Sequence, residues 1–308
     1  MYKIHATIPL FALLSVGFWA CINTNNAANL AKKESSAHTF ELPALSAPDQ
    51  YWYQGKAELT AYDVEQERYG EIRKADQVNI FVTEDFSKTK QVKLDNPVAA
   101  GDDRVPVLKL NSVRKFNTGI YDYALMSSVF TPMTGTSSLK TTTTVQDWCG
   151  HVFSQLNNRG QGAWKGVFYS YFESEGDQQH DLSADYLEDE LWTLARINPA
   201  ALKTGKVRVV PSSIYLRLRH KPIQPEDATL AVDNTADGLT ISLQYVSIER
   251  SLVLHLENKA PWRIKGWEER SAGKLNSKGT LKALRMEPYW QENSNTFEHL
   301  RDSLLLPR

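Results

Sequence analysis

The feature that most constrains the fold of this chain is a side-chain alternation of period two. In "LTISLQY", Leu239, Ile241, Leu243 and Tyr245 fall on one face, with Thr240, Ser242 and Gln244 on the other. Successive side chains of a strand point to opposite sides, so this pattern predicts a half-buried β-strand. "SIYLRLR" reads the same way, with Ile214, Leu216 and Leu218 opposite Tyr215, Arg217 and Arg219. "VNIFV" (78–82), "VPVLKL" (105–110) and "GVFYSYF" (166–172) add further strands. They are separated by turn-rich stretches at 96–103, 157–162 and 233–238. The 8 Trp, 13 Tyr and 11 Phe fit the same class, because large rings pack well on a pleated surface. No repeat of 20 to 50 residues runs through the chain, which argues against a propeller or solenoid.

Helices are expected in two places. "DLSADYLEDELWTLARINP" (181–199) has Asp181 or Ser183 to cap it and acidic residues in its first turns, where the helix dipole favours them. Leu187, Leu191 and Leu194 form its apolar stripe, and Pro199 stops it. On this reading Glu188, Asp189 and Glu190 lie on a solvated face. A second, short helix is expected in "SNTFEHLRDSLLL". The expected fold is therefore mainly β (α+β). It is a large curved antiparallel sheet, or an open barrel or sandwich, with one amphipathic helix and a short C-terminal one.

The N-terminus carries a targeting signal. Lys3 precedes an apolar run from Ile8 to Ala20, and Cys21 follows. The run is shorter than the roughly 20 residues that span a bilayer, and it matches a secretory signal core. Ala20 before Cys21 resembles a bacterial lipoprotein signal, in which cleavage before the cysteine is followed by its acylation. Residues 1–20 are then the signal peptide, 21–47 the lipidated cysteine and a polar tether, and 48–308 a single β-rich periplasmic domain. Two packed sheets dividing near 133–139 are the variant of that arrangement. The expected location is the periplasmic face of the outer membrane, with the lipid bilayer as partner through acylated Cys21. Several acyl chains on one residue anchor stably, each buried CH₂ contributing about 0.8 kcal/mol. A formal net charge of −1 gives no electrostatic case for nucleic acid.

The chain has 2 cysteines. Acylation of Cys21 leaves Cys149 without an intramolecular disulfide partner, and no CxxC or HxxxH spacing offers a zinc cage. No cofactor or metal is expected. In "VQDWCGHVFSQLN" (145–157), Asp147, Cys149 and His151 share one face if the run is a strand. That row gives the alternative reading, a thiol-dependent hydrolase or acyltransferase. Neighbours at i and i+2 stand about 6.6–6.8 Å apart with parallel side chains, whereas a thiolate–imidazole pair needs contact near 3 Å. The expectation is the first arm of a hairpin with Cys149 packed inside. Candidate ligand-binding residues are Tyr215, Arg217 and Arg219, for an anionic lipid headgroup or glycan acid, with Trp262 and Trp267 for sugar stacking. The plainer alternatives are the wet side of a sheet and tryptophans anchoring an edge. GxSxG, Walker, GxGxxG and HExxH motifs are absent from the sequence.

The stretches 51–95, 105–132 and 147–177 resemble a family of Bacteroidetes lipoproteins of unknown function, whose members often carry the label "septum formation inhibitor Maf". The Ser- and Arg-rich motif of the Maf nucleotide pyrophosphatases does not occur here. The resemblance implies an envelope lipoprotein and no catalytic residues. The expected function is that of a non-enzymatic binding or envelope-assembly protein, whose concave sheet takes a lipid, a glycan or a protein partner.

Overall fold

In the computed structural model, residues 50–306 are described. Cys21, the signal run and the 22–47 tether lie outside them. The predicted alternation is realised on a large scale, in fifteen strands that form one open sheet. One arm is a meander of β1 (Ala57–Arg68), β2 (Glu71–Ser87), β3 (Arg104–Thr118), β4 (Tyr121–Pro132), β5 (Lys140–Asp147), β6 (His151–Gly160), β7 (Ala163–Tyr169) and β8 (Gln178–Ser183). The other comprises β9 (Tyr186–Leu187), β10 (Gly205–Val210), β11 (Glu226–Thr235), β12 (Gly238–Tyr245), β13 (Arg250–Leu256), β14 (Ile264–Ser271) and β15 (Lys274–Glu287). Strands β1 and β15 pair in the middle, and β8 and β9 are the two edges. Every pairing is antiparallel except β9 with β10. The stretch 133–139 is a loop between two paired strands, β4 and β5, of this one sheet.

The edges are neighbours in sequence. Ala184 N donates to Gly162 O at 2.9 Å and Asp185 N to Arg208 O at 2.8 Å, so two residues carry the chain from one edge to the other. From there it turns onto the inner face of the sheet as a 3-10 turn, Glu188–Glu190, and helix α1 (Leu191–Ile197). This segment touches β1 through Arg196 and Glu58, β4 through Thr193 and Thr131, and β13 through Glu188 and Arg250. Strands β4 and β13 stand six places apart in the sheet, roughly 29 Å if it were flat, and a helix is only about 10–12 Å wide. The sheet must therefore curl around the segment, and the helix fills its hollow.

Glycine permits one close approach within this curl. A Cβ on Gly279 would sit 2.1 Å from the Trp267 ring, which lies across β15 and is itself buried. Trp267 packs edge-on against Tyr62 and Trp192, and its Nε1 donates to Ser277 Oγ at 3.1 Å.

Two local expectations are corrected. The helix read over 181–199 shrinks to Leu191–Ile197, because Asp181–Ser183 belongs to edge strand β8 and Tyr186–Leu187 pairs with β10. Glu188, Asp189 and Glu190 are buried rather than solvated. Each of the three carboxylates ties distant parts of the chain together. Glu188 meets Arg250 and the Tyr245 hydroxyl, and Glu190 accepts from the amides of Leu187 and Ser138. Asp189 accepts from the amide of Ser213. That last bond explains the second correction: "SIYLRLR" is helix α2 (Ser213–Leu218), not a strand. Asp189, 24 residues upstream, satisfies a free amide at the helix start. At the C-terminus, the expected short helix is a 3-10 helix, Asn295–Leu304.

Candidate functional site

Helix α2 occupies the connection between β10 and β11, at the same end of the sheet as the β5–β6 turn and the loop from Ser170 to Asp177. Between α2 and the inner face of β5–β8 lies a cavity of about 290 Å³. Its walls are largely apolar: Val145 and Val152 face each other across β5 and β6, with Phe168, Leu216 and Ile223 alongside. The polar groups converge at one side, where Arg217, His220 and Glu175 meet. This size and mixture suit a small-molecule site.

The polar cluster has defined geometry. Glu175 Oε1 lies 2.7 Å from His220 Nδ1 and 3.3 Å from Arg217 Nη1, while Ser170 Oγ donates to Glu175 Oε2 at 2.6 Å. The Phe172 ring lies 4.1 Å under the Arg217 guanidinium and meets His220 edge-on. Burial works to raise the Glu175 carboxyl, but the hydrogen bonds from Ser170 and His220 and the Arg217 charge outweigh it and hold the carboxyl below its usual range. Arg217 is pulled below its ordinary value by burial, with Arg68 nearby adding to the effect and Glu175 opposing it. Arg68 reaches this region by donating through Nη1 to the Leu218 carbonyl at the end of α2. The serine and histidine both bond the carboxylate rather than each other, so the cluster does not form a nucleophile with its base.

The sequence candidates are dispersed. Asp147 ends β5, and its Oδ1 accepts from the amides of Cys149 and Gly150 at 2.7 and 3.1 Å. Cys149 is exposed at the tip of that turn, and His151, also exposed, begins β6. The run 145–157 thus straddles a turn instead of forming one arm, and Cys149 is not packed inside. The three residues do not share a strand face, and Asp147 is engaged by backbone. Tyr215 lies buried under Arg250, 4.2 Å from its ring centre to the guanidinium carbon. Arg219 pairs with Glu67 and donates to Asn276 Oδ1 at 2.6 Å. Trp262 is half-buried against the core, and Trp267 is fully buried. Of the five ligand candidates only Arg217 lines the cavity.

Sequence reasoning missed Glu175, His220, Phe172 and Ile223. The signal available was punctuation alone, "ESEGD" and "RHKP", which marks loops without showing that they meet. A more open groove of about 910 Å³ lies near the crossing of the edges, lined by Asn158, Asp185, Lys203 and Arg208 among others. Several of its polar groups already have protein partners: Lys203 Nζ donates to Asp185 Oδ1, Arg208 N to Asp185 Oδ2, and Asn158 Nδ2 to Ser138 O. The space between α1, α2 and the sheet is a void of about 50 Å³ beside Arg114, Glu188 and Trp267. That is room for ordered water. Among the described residues, no group of three or more His, Cys, Asp or Glu is placed to hold a metal ion, and no helix is long and apolar enough to cross a membrane.

No family model matches the chain, and no curated protein matches it. Among solved structures, the chain is similar to the crystal structure of a beta-barrel-like protein of a domain of unknown function, DUF1849, from Brucella abortus. The two are 9% identical, with a TM-score of 0.45 over 75% of this chain and 98% of that one.

Proposed function

We propose that the chain is a non-enzymatic binding protein of the bacterial envelope, anchored in the outer membrane through acylated Cys21 and facing the periplasm. Its binding site is the cavity between α2 and β5–β8. The observation that carries this reading is an apolar-walled space of about 290 Å³ with one buried guanidinium at its side. The middle of the inner face, expected to receive the ligand, is filled by α1 and the 3-10 turn before it, and the cavity lies against that same face at β5–β8.

Two experiments test the two halves. Cells fed an alkyne fatty acid should incorporate it into the chain, and Cys21→Ala should abolish the label; label that persists in the variant removes the anchor. The full chain, purified without denaturant, should carry a small molecule visible by mass spectrometry. Ile223→Trp, which fills the cavity, should lose that molecule. A molecule retained equally by both proteins contradicts the assignment of the site.

A further inference from the structure

Two buried arginines sit in contrasting environments. Arg196 Nη1 and Nη2 donate to the two oxygens of Glu58 at 2.6 and 2.7 Å, and its Nε donates to Pro261 O at 2.7 Å. That is a complete bidentate pair, as expected of a structural arginine. Arg217 lies at the cavity with a side chain 8% exposed. It reaches Glu175 through one long contact of 3.3 Å, and its Nε is buried without a hydrogen-bond partner. Leaving such a donor unmade is costly.

The neighbouring histidine is over-subscribed. His220 Nδ1 lies 2.7 Å from Glu175 Oε1 and 3.1 Å from Arg217 Nη1. An arginine only donates and an ionised carboxylate only accepts, so this one nitrogen satisfies a single neighbour at a time. Glu175 also stands on a loop, not on a strand or helix, so its carboxylate can leave without breaking the sheet ladder.

We infer that Glu175 holds the place of a ligand carboxylate: the cavity takes small amphipathic carboxylic acids, whose head group displaces Glu175 from Arg217 and His220. The apolar body of the ligand then lies against Val145, Val152, Phe168, Leu216 and Ile223. The incoming carboxylate can engage the Arg217 Nε that Glu175 does not reach. This inference rests on the cavity being the ligand site and names its ligand class.

The test uses the full chain and three probes of one shape: 4-phenylbutyrate, 4-phenylbutanol and 4-phenylbutylamine, titrated near neutral pH with ligand-detected NMR. Wild type should prefer the acid over the alcohol, and the alcohol over the amine. Glu175→Gln should tighten the acid by about tenfold or more, roughly 1.4 kcal/mol, while changing the alcohol far less. Arg217→Met should erase the preference for acid over alcohol, and Arg217→Lys, which keeps the charge and perturbs packing less, should weaken that preference. If Glu175→Gln leaves the acid unchanged while the alcohol binds, the displacement idea is overturned and the cavity reading stands. If no probe binds wild type or Glu175→Gln, both fall.

Discussion

Arg196 and Glu58 show at residue scale how this protein keeps charge inside a β-sheet. Burial works to raise the Glu58 carboxyl, and the Arg196 charge and hydrogen bonds overcome it, leaving the carboxyl below its usual range. Removing one partner strands the other charge, so Glu58→Gln or Arg196→Met should destabilise the fold by about 3–5 kcal/mol in urea titration. Glu190 behaves in the opposite way. Burial lifts its carboxyl to about 7, against the hydrogen bonds from Ser138 and Leu187 that favour the charged form. Since its unfolded value is lower, the native state keeps this proton longer as pH rises, and the stability it contributes is present in acid and lost between about pH 4.5 and 7. The stability of wild type relative to Glu190→Gln should therefore fall across that window, as read from urea midpoints at its two ends. A difference that does not change with pH would contradict the burial of a titrating carboxyl. Cys149 should react with an iodoacetamide probe in the native protein, because its turn exposes it. The run "DWCG" carries a turn signal, Asp first and Gly fourth, that the alternation around it masked; the Asp147 side chain closes the turn on its own backbone, and Gln146 pairs with His151 across it.

The elements were legible where each pattern served one purpose. "LTISLQY" alternates because one face meets the core and the other meets solvent, and it is strand β12. "SIYLRLR" alternates equally well and is a helix: the short helix is buried nearly all round, so no 3.6-residue stripe marks it, and the amide-binding Asp189 comes from another part of the chain. The acidic run 188–190 looked like a solvated helix start for a related reason. Its partners Arg250, Ser138 and Ser213 lie 62, 52 and 24 residues away, so their positions had no local trace. The middle of the sheet makes a sharper demand on sequence. Gly279→Ala places a methyl group against the Trp267 ring between the paired strands β14 and β15. Overpacking of this kind typically costs about 1–3 kcal/mol, which thermal unfolding would detect. An unchanged midpoint would mean that Trp267 has room to move.

Across the described residues as a whole, the class of the fold followed from alternation and aromatic content, while its topology did not. Sequence order gives hairpins, but nothing local says that the first and last strands pair or that the sheet curls around the segment between its edges. The candidate site shares that obscurity. Its walls come from β5, β6, β7, the 170–177 loop and α2, and they meet only because the two arms of the sheet return to the same end. Helix α1 fills the middle of the concave face, and the cavity proposed for a ligand lies beside α2 against the same face at β5–β8. Methyl-resolved NMR of the full chain titrated with 4-phenylbutyrate tests this most directly. The site predicts shifts concentrated on Val145, Val152, Leu216 and Ile223, which line the cavity. Shifts concentrated instead on Leu110, Val129 and Leu252, around the interior void, would contradict it.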